Sequence, residues 1–346
     1  MTPLISVIFP CYNAETFIHY SLKSIINQDY KNLEIICIND GSTDSTLDIL
    51  VDYQKKDDRI IIINNEKNLG LISSLNKALL SVKGEYFARM DADDYSPPER
   101  ISKQLNHLLN NTQVQLVSTG CYSFINDYKE NYYMPPVAKS NGAIMFLSLF
   151  SNPFIHGSVF GKSSIIKSGQ YVYDRNYPHA EDFELFSRLA WSNCIMGSMD
   201  EPLYWLRINT GSVSFKYSDI QTTTNLKIVK RNLKEFLNHF EDLDDNFLKI
   251  LFNRIDTTVS IKEIKRVFEF LALLYNAADE KFVFSKTEKA EINQYLLLHK
   301  LNIVIQSNKI RFSKIGVRNT GFFAKSLFFI HPNQITFLLK KVFKLL

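Results

Sequence analysis

The sequence predicts an α/β fold, a mostly parallel sheet flanked by helices and followed by a mainly helical C-terminal region. Three observations carry this. Strand-like segments recur at residues 4–9, a continuous apolar run, and at 33–38, 60–63, 86–90 and 116–124. Segments with helical periodicity, 10–15 residues long, separate them, which is the pattern of βαβ units and therefore of parallel strands. After about residue 215 the strand signal vanishes and only helical periodicity remains.

The run at 4–9 suits a strand covered on both faces. Residues 15–27 follow with Ile18, Leu22, Ile25 and Ile26 on one helical face. After the strand at 33–38, a helix at 45–55 is led by Leu47, Leu50 and Val51, with Ser42, Thr43 or Asp44 as its N-cap. The strand at 60–63 precedes a helix at 73–82, and the strand at 86–90 a helix that Pro97 and Pro98 open and that runs to about 109. Residues 116–124 form the next strand. Residues 126–215 are mixed, rich in glycine, proline and aromatics, with one clear helix at 181–191. Residues 219–240, 246–255, 261–276 and 286–299 all read as helices. This divides the 346 residues into a domain at 1–215, with halves at about 1–125 and 126–215, and a helical domain at 216–346.

Composition narrows the class. Hydrophobic residues make up 45% and charged ones 22%, so a sizeable core is expected. Four dispersed cysteines with no Cys-x-x-Cys pair argue against a disulfide framework or zinc knuckle and for a reducing compartment. The opening apolar run has no basic segment before it and reads as a buried strand, not a signal peptide. A cytoplasmic protein is expected. The net charge of +4 is unevenly spread: residues 292–346 carry nine lysines or arginines and no acid, leaving the remainder at −5. In the last segment Lys340, Lys341 and Lys344 flank an apolar stripe of Ile335, Leu338, Leu339, Val342 and Leu346. That pattern suits an anionic inner-leaflet surface, or a stripe packed on the body with solvated lysines. No nucleic-acid partner is expected.

Parallel sheets place ligands beyond the carboxyl ends of their strands, so the polar clusters there are the candidate site. They are Pro10-Cys11-Tyr12-Asn13, Asn39-Asp40-Gly41-Ser42-Thr43-Asp44 and Asp91-Ala92-Asp93-Asp94. Each alone has a structural reading as a turn, a cap or a solvated acidic loop. Together on one rim they suit a nucleotide: Tyr12 stacks on a base and Asp40 accepts an imide N–H. Carboxylates at i and i+2 can hold a hard divalent cation, which would neutralise a diphosphate. No Gly-x-Gly-x-x-Gly is present, and Gly157 to Ser163 has one residue too few between its glycines for a phosphate loop.

In sequence order these clusters, with Asn65-Glu66-Lys67-Asn68-Leu69-Gly70, His156-Gly157-Ser158-Val159 and Ala180-Glu181-Asp182-Phe183-Glu184-Leu185, resemble the family 2 inverting glycosyltransferases of GT-A fold, especially bacterial enzymes of lipopolysaccharide or capsule synthesis. The resemblance covers roughly residues 4–215. It implies a UDP-sugar donor, an oligosaccharide or lipid-linked glycan acceptor, and Mn2+ or Mg2+ as cofactor. It places Pro10, Tyr12, Asp40 and Asn68 in the nucleotide pocket, with Asp91 and Ala92 against the nucleotide-sugar. Asp93 is the expected direct metal ligand with Asp91 beside it, Arg207 the phosphate-side cation, and Asp182 the general base. Many relatives have a histidine where this chain has Asn209, which removes one expected metal ligand; His156 and His179 are nearby, more in keeping with acceptor contact than ligation. Lipid-linked acceptors favour a peripheral protein on the cytoplasmic face of the inner membrane. The competing reading is a non-catalytic nucleotide-sugar-binding or scaffold subunit of a glycan assembly complex, which the intact Asp182 disfavours. A sugar nucleotidyltransferase would need a glycine-rich loop after the first strand, and residues 9–16 have no glycine.

Overall fold

A computed structural model describes residues 2–125, 131–208, 217–238, 243–255 and 258–313, with side chains through 307. Asn209 and the basic tail beyond 313 lie outside the described residues, as does residue 215, near which the sequence places its domain border. The chain divides into two compact units. One is Met1–Ile144 with Asn152–Thr224; the other is Met145–Ser151 with the chain from Asn225 onward.

Among the described residues, eight strands of the first unit form one sheet in the order β3-β2-β1-β4-β7-β5-β6, with β8 also paired to β5. They are β1 (Ile5–Cys11), β2 (Leu33–Asn39), β3 (Ile60–Asn64), β4 (Tyr86–Arg89), β5 (Leu116–Phe124), β6 (Asn131–Met134), β7 (Phe160–Lys162) and β8 (Met196–Arg207). Strands β3, β2, β1 and β4 are parallel neighbours, and β8 runs parallel to β5. Only β6 and β7 pair antiparallel. Every residue of β1 and β2 is buried, which is why these strands read as largely apolar; the two polar residues inside them, Ser6 and Glu34, hydrogen-bond to each other. The chain steps outward from β1 to β2 and β3, then returns to the other side of β1 for β4. The gap between the carboxyl ends of β1 and β4 is therefore a topological switch point.

Four helices alternate with these strands: α1 (Ile18–Ile26), α2 (Thr46–Gln54), α3 (Leu71–Leu79) and α4 (Arg100–Asn110). In α1 the spacing of Ile18, Leu22 and Ile25 puts all three in the core, and in α4 Ile101, Leu105 and Leu108 do the same. Each such side chain contributes about 1.5–3 kcal/mol by leaving water. The α2 start is held by Asp44, whose Oδ1 accepts the Thr46 amide hydrogen at 3.0 Å. Helix α4 begins two residues later than Pro98 suggests: Pro97 supplies the carbonyl that accepts the Arg100 amide, at 3.1 Å, and the prolines form the turn before the helix.

The mixed stretch contains structure the periodicity hides. The short strands β6 and β7, the long β8 and the helices α5 (Asn141–Leu147) and α6 (Ser164–Lys167) lie there, before α7 (Glu181–Ala190). Strand β8 carries Asp200, Glu201 and Pro202 in its middle, and the β5–β8 register shifts around Gly120, opposite Pro202. A bulge accommodates the proline that cannot donate to a ladder.

The second unit is built from the C-terminal part of α8 (Ser218–Leu237) with α9 (Asp245–Leu251), α10 (Ile261–Phe282) and α11 (Lys286–Ser313). Ser260 and Glu263 form a reciprocal capping box at the start of α10. Its core includes Leu248, Leu251, Val267, Leu271, Ile292 and Ile303. Among the described residues no helix is long and apolar enough to cross a membrane. All four cysteines are buried and free.

Candidate active site

The register aligns Cys11 with Asn39 across β1–β2 and Ile8 with Arg89 across β1–β4. The three strand-end clusters therefore share one rim, within about 10 Å across two strand spacings. Residues 13 and 42–44 interlock. Asn13, in the left-handed region at φ 47°, donates its N–H to Ser42 Oγ at 3.0 Å, and its Oδ1 accepts the Thr43 amide hydrogen at 2.9 Å. Pro10 is locked inside β1, while Tyr12 projects 49% exposed, free to offer a ring face.

Asp40 is buried, and its carboxylate is the hub of the 65–70 loop. Oδ1 accepts from Asn65 Nδ2 at 2.9 Å and from the Leu69 amide at 2.8 Å; Oδ2 accepts from the Gly70 amide at 2.9 Å. Asn68 is exposed and turns its Oδ1 back to the same Gly70 amide, at 3.0 Å. Next to Asp40 only glycine fits. Gly41 has φ +65°, and a Cβ there would stand 2.3 Å from the Lys67 carbonyl carbon. Asp40 thus organises the loop that carries Asn68 and keeps an acceptor position on Oδ2.

The acidic turn after β4 contains three carboxylates with three different surroundings. Asp91 forms an ion pair with Arg89, which is buried within β4. Burial and the Asp91 charge push the Asp93 carboxyl up to about 6. Asp94 is fully buried and points inward, accepting from the Tyr204 hydroxyl and, at 2.7 Å, from the Arg207 amide. Ala92 is buried between them. The turn is thereby strapped to β8: Tyr204 also accepts the Asp91 amide hydrogen at 3.2 Å, and Tyr95 and Trp205 exchange backbone hydrogen bonds. Arg207 donates Nε–H to the Asp93 carbonyl at 2.9 Å. Its guanidinium lies over Phe124 at 4.4 Å, Phe17 at 4.6 Å and Tyr20 at 5.8 Å. Aromatic faces hold this cation in place beside the acidic turn without cancelling its charge.

Among the described residues no group of three or more histidines, cysteines or acids is arranged as a metal cage. The donor set still fits a hard cation. Asp93 is a half-buried carboxyl raised by burial and by the Asp91 charge, with Arg89 and Arg207 offsetting part of the rise. Asp91 pairs with Arg89 through Oδ2, leaving Oδ1 outside that ion pair. Mg2+ and Mn2+ sites commonly rest on one or two carboxylates, with phosphate and water completing the sphere.

Helix α7 presents the expected base. Glu181, Asp182 and Glu184 crowd its first turn, where the helix dipole favours negative charge. Asp182 Oδ1 accepts the Phe183 amide hydrogen at 2.8 Å, and Oδ2 accepts from Asn152 Nδ2 at 2.8 Å. Burial raises its carboxyl, while these two donors and the Arg89 charge pull it back. The neighbouring Glu181 is pushed up to about 7 by burial and by Asp182. Glu184 is structural, paired through both oxygens with Arg188 at 3.0 Å. His156 Nε2 is engaged with the Tyr173 hydroxyl at 2.7 Å, and burial with the Arg89 charge holds its pKa well below normal, so the ring is neutral. His179 stacks on Tyr217, centroids 4.3 Å apart.

Sequence reasoning missed Arg89, Asn152 and Tyr204. Arg89 had a signal, a lone charge inside an otherwise apolar strand. Arg100 is a further buried cation, donating Nη2–H to the Arg89 carbonyl at 2.8 Å and the Gly157 carbonyl at 2.9 Å.

A mostly parallel sheet with a switch point between β1 and β4, an acidic turn after β4 and an acid-opened helix make up a fold of the GT-A class. The chain belongs to glycosyl transferase family 2: the family model matches residues 6–167, and an uncharacterized glycosyltransferase of Haemophilus influenzae is 37% identical over 245 residues, 68% of this chain and 75% of its own length. Among solved structures, S. aureus TarS 1-349 in complex with UDP-GlcNAc superposes with a TM-score of 0.56 at 17% identity, covering 89% of this chain and 92% of that one. The mannosyltransferase PcManGT from Pyrobaculum calidifontis, in complex with GDP-Man and Mn2+, gives 0.52 at 15% identity, covering 89% and 87%. At these identities the two structures establish the shared fold.

Proposed function

We propose that the chain is a metal-dependent inverting glycosyltransferase moving a hexose or N-acetylhexosamine from a UDP-sugar to a hydroxyl of a growing bacterial surface glycan, lipopolysaccharide or capsule. Residues 1–215 form its catalytic domain and 216–346 a helical domain. The observation that carries this reading is the convergence on one rim of Tyr12, Asp40, Asp91, Asp93 and Arg207. In the same unit Asp182 opens a helix with both oxygens oriented.

Tyr12 and Pro10 flank the base, and Asp40 Oδ2 accepts its imide hydrogen. A divalent cation held by Asp93 and the outer oxygen of Asp91 would supply Lewis-acid neutralisation of the diphosphate. Arg207, fixed by its aromatic cage, adds a second positive charge where the leaving group develops its own negative one. Asp182 accepts the proton of the acceptor hydroxyl as that oxygen attacks the anomeric carbon from the face opposite the nucleotide. The C1–O bond to the diphosphate breaks, and the nucleoside diphosphate departs with the bonding pair. No covalent enzyme intermediate is formed.

The choice of UDP is supported by the UDP-GlcNAc held by TarS, and a metal by the Mn2+ in the mannosyltransferase. The test is a donor screen of the purified protein with UDP- and GDP-sugars, following nucleotide release with Mn2+ or Mg2+. Release from a UDP-hexose or UDP-N-acetylhexosamine supports the reading. Release from GDP-mannose alone would overturn the donor assignment, and binding without release would make the chain a non-catalytic subunit.

A further inference from the structure

Asn152 precedes Pro153 and Phe154, and its side-chain Oδ1 accepts the Phe154 amide hydrogen at 3.3 Å. This is an Asx turn with proline at its centre, which fixes φ and removes the competing N–H. With Oδ1 facing Phe154, the amide can present only its NH2 edge to Asp182, and Nδ2 donates to Asp182 Oδ2 at 2.8 Å. The other carboxylate oxygen is held by the Phe183 amide at 2.8 Å. One oxygen of Asp182 is thus held by a donor from its own helix and the other by a donor from outside it, which together fix the carboxylate plane.

We propose that Asn152 is the positioning residue of the base: it locks the Asp182 carboxylate in the orientation that receives the acceptor proton and holds it in the ionised form. The proposal rests on Asp182 being the base. An amide suits this task chemically. It donates to a carboxylate, carries no charge to bind the proton competitively, and does not titrate with pH. A lysine there would neutralise the base and a second acid would share its proton. The separation of 30 positions in the chain shows that the contact is made by the fold and not by local sequence. Burial of Asp182 opposes its ionisation, and the Asn152 donor is one of the groups that offset it. The other charges acting there, Glu181 beside it and Arg89, remain in place when Asn152 is changed.

The test uses full-length protein with UDP-glucose, UDP-GlcNAc and Mn2+, water serving as acceptor, and UDP release measured from pH 5 to 9. In parallel, protein labelled with 13C at the aspartate carboxyl is titrated by NMR, with the Asp182 resonance identified by its absence in Asp182→Asn. Asn152→Ala is expected to lower kcat about 10–100-fold with an unchanged donor KM, and to move both the acidic limb of the rate profile and the Asp182 titration to higher pH. Asn152→Asp, which preserves shape and covers the case of an unstable alanine variant, is expected to move both further. An Asp182 titration identical in wild type and both variants would overturn the proposal. So would a loss of kcat equal at every pH and accompanied by a raised donor KM. Turnover retained in Asp182→Asn would instead overturn the assignment of the base, whatever the Asn152 variants do.

Discussion

The Tyr204 hydroxyl donates to the buried Asp94 carboxylate, binding the C-terminal end of β8 to the acidic turn that follows β4. A Cβ on Gly157 would stand 1.9 Å from the same phenol oxygen, so the glycine of the His156-Gly157-Ser158 turn exists to admit this ring. Burial and the charges of Asp91 and Asp93 push Asp94 well above the usual carboxylate range. Removing its strongest side-chain donor leaves a buried acid short of a partner. Tyr204→Phe is expected to cost about 1–3 kcal/mol in urea unfolding. It should also weaken metal activation, because Asp91 loses the same hydroxyl as an amide acceptor. Unchanged unfolding and metal response would show that the tie does not position the turn.

Asp93 should govern the cation. Asp93→Ala and chelation by EDTA are each expected to abolish nucleotide release, since the described residues offer no cage to compensate. Because burial and the Asp91 charge push the metal-free carboxyl up to about 6 and it must be deprotonated to ligate, the Mn2+ concentration needed for half-activation should rise as pH falls through that value. Full activity in chelator would mean that Arg207 and its fellow cations serve alone.

His299 makes the second unit acid-sensitive. It is buried beside Phe150 and Tyr295, its Nε2 hydrogen-bonded to the Leu251 carbonyl at 2.8 Å, and burial pushes it down to about 4. A base whose folded pKa is depressed binds more protons unfolded. Its stabilisation is therefore present above about 6.5 and is lost as pH falls through about 4. The wild type should lose up to about 3 kcal/mol more than His299→Gln between those limits, measured by urea midpoints. Parallel pH curves for the two proteins would exclude this histidine as the cause.

The basic tail, residues 292–346, tests the membrane reading directly. Full-length protein should co-sediment with anionic vesicles at low salt and dissociate at high salt, and a form ending before Asn333 should bind more weakly. Equal sedimentation of both would move the anchor elsewhere, and none by either would remove it.

How much was legible in advance depended on burial symmetry. Strands β1 and β2, buried along their whole length, and the partly buried β3 and β4 announce themselves as largely apolar runs, and their polar ends announce the rim. Strand β8 was hidden because Asp200, Glu201 and Pro202 interrupt it at a bulge, and β7 because three residues carry no period. The carboxylates of the acidic turn were legible as a set. Their division of labour was not, since Asp94 turns inward only because Tyr204 arrives from 110 residues away. Asn152 likewise has no sequence signature toward Asp182, because the turn at Pro153 aims it and the fold supplies the target.

The most direct test of the account is Asp182→Asn, assayed with the donor that turns over in the wild type. UDP affinity, measured by calorimetry with Mn2+ present, should remain near that of the wild type, because the variant keeps every residue of the nucleotide rim. Transfer should fall by about 10²–10⁴ at every pH, as expected for loss of a general base. Turnover within a few-fold of the wild type would contradict the account and return Glu181-Asp182 to the role of a helix-opening acid pair.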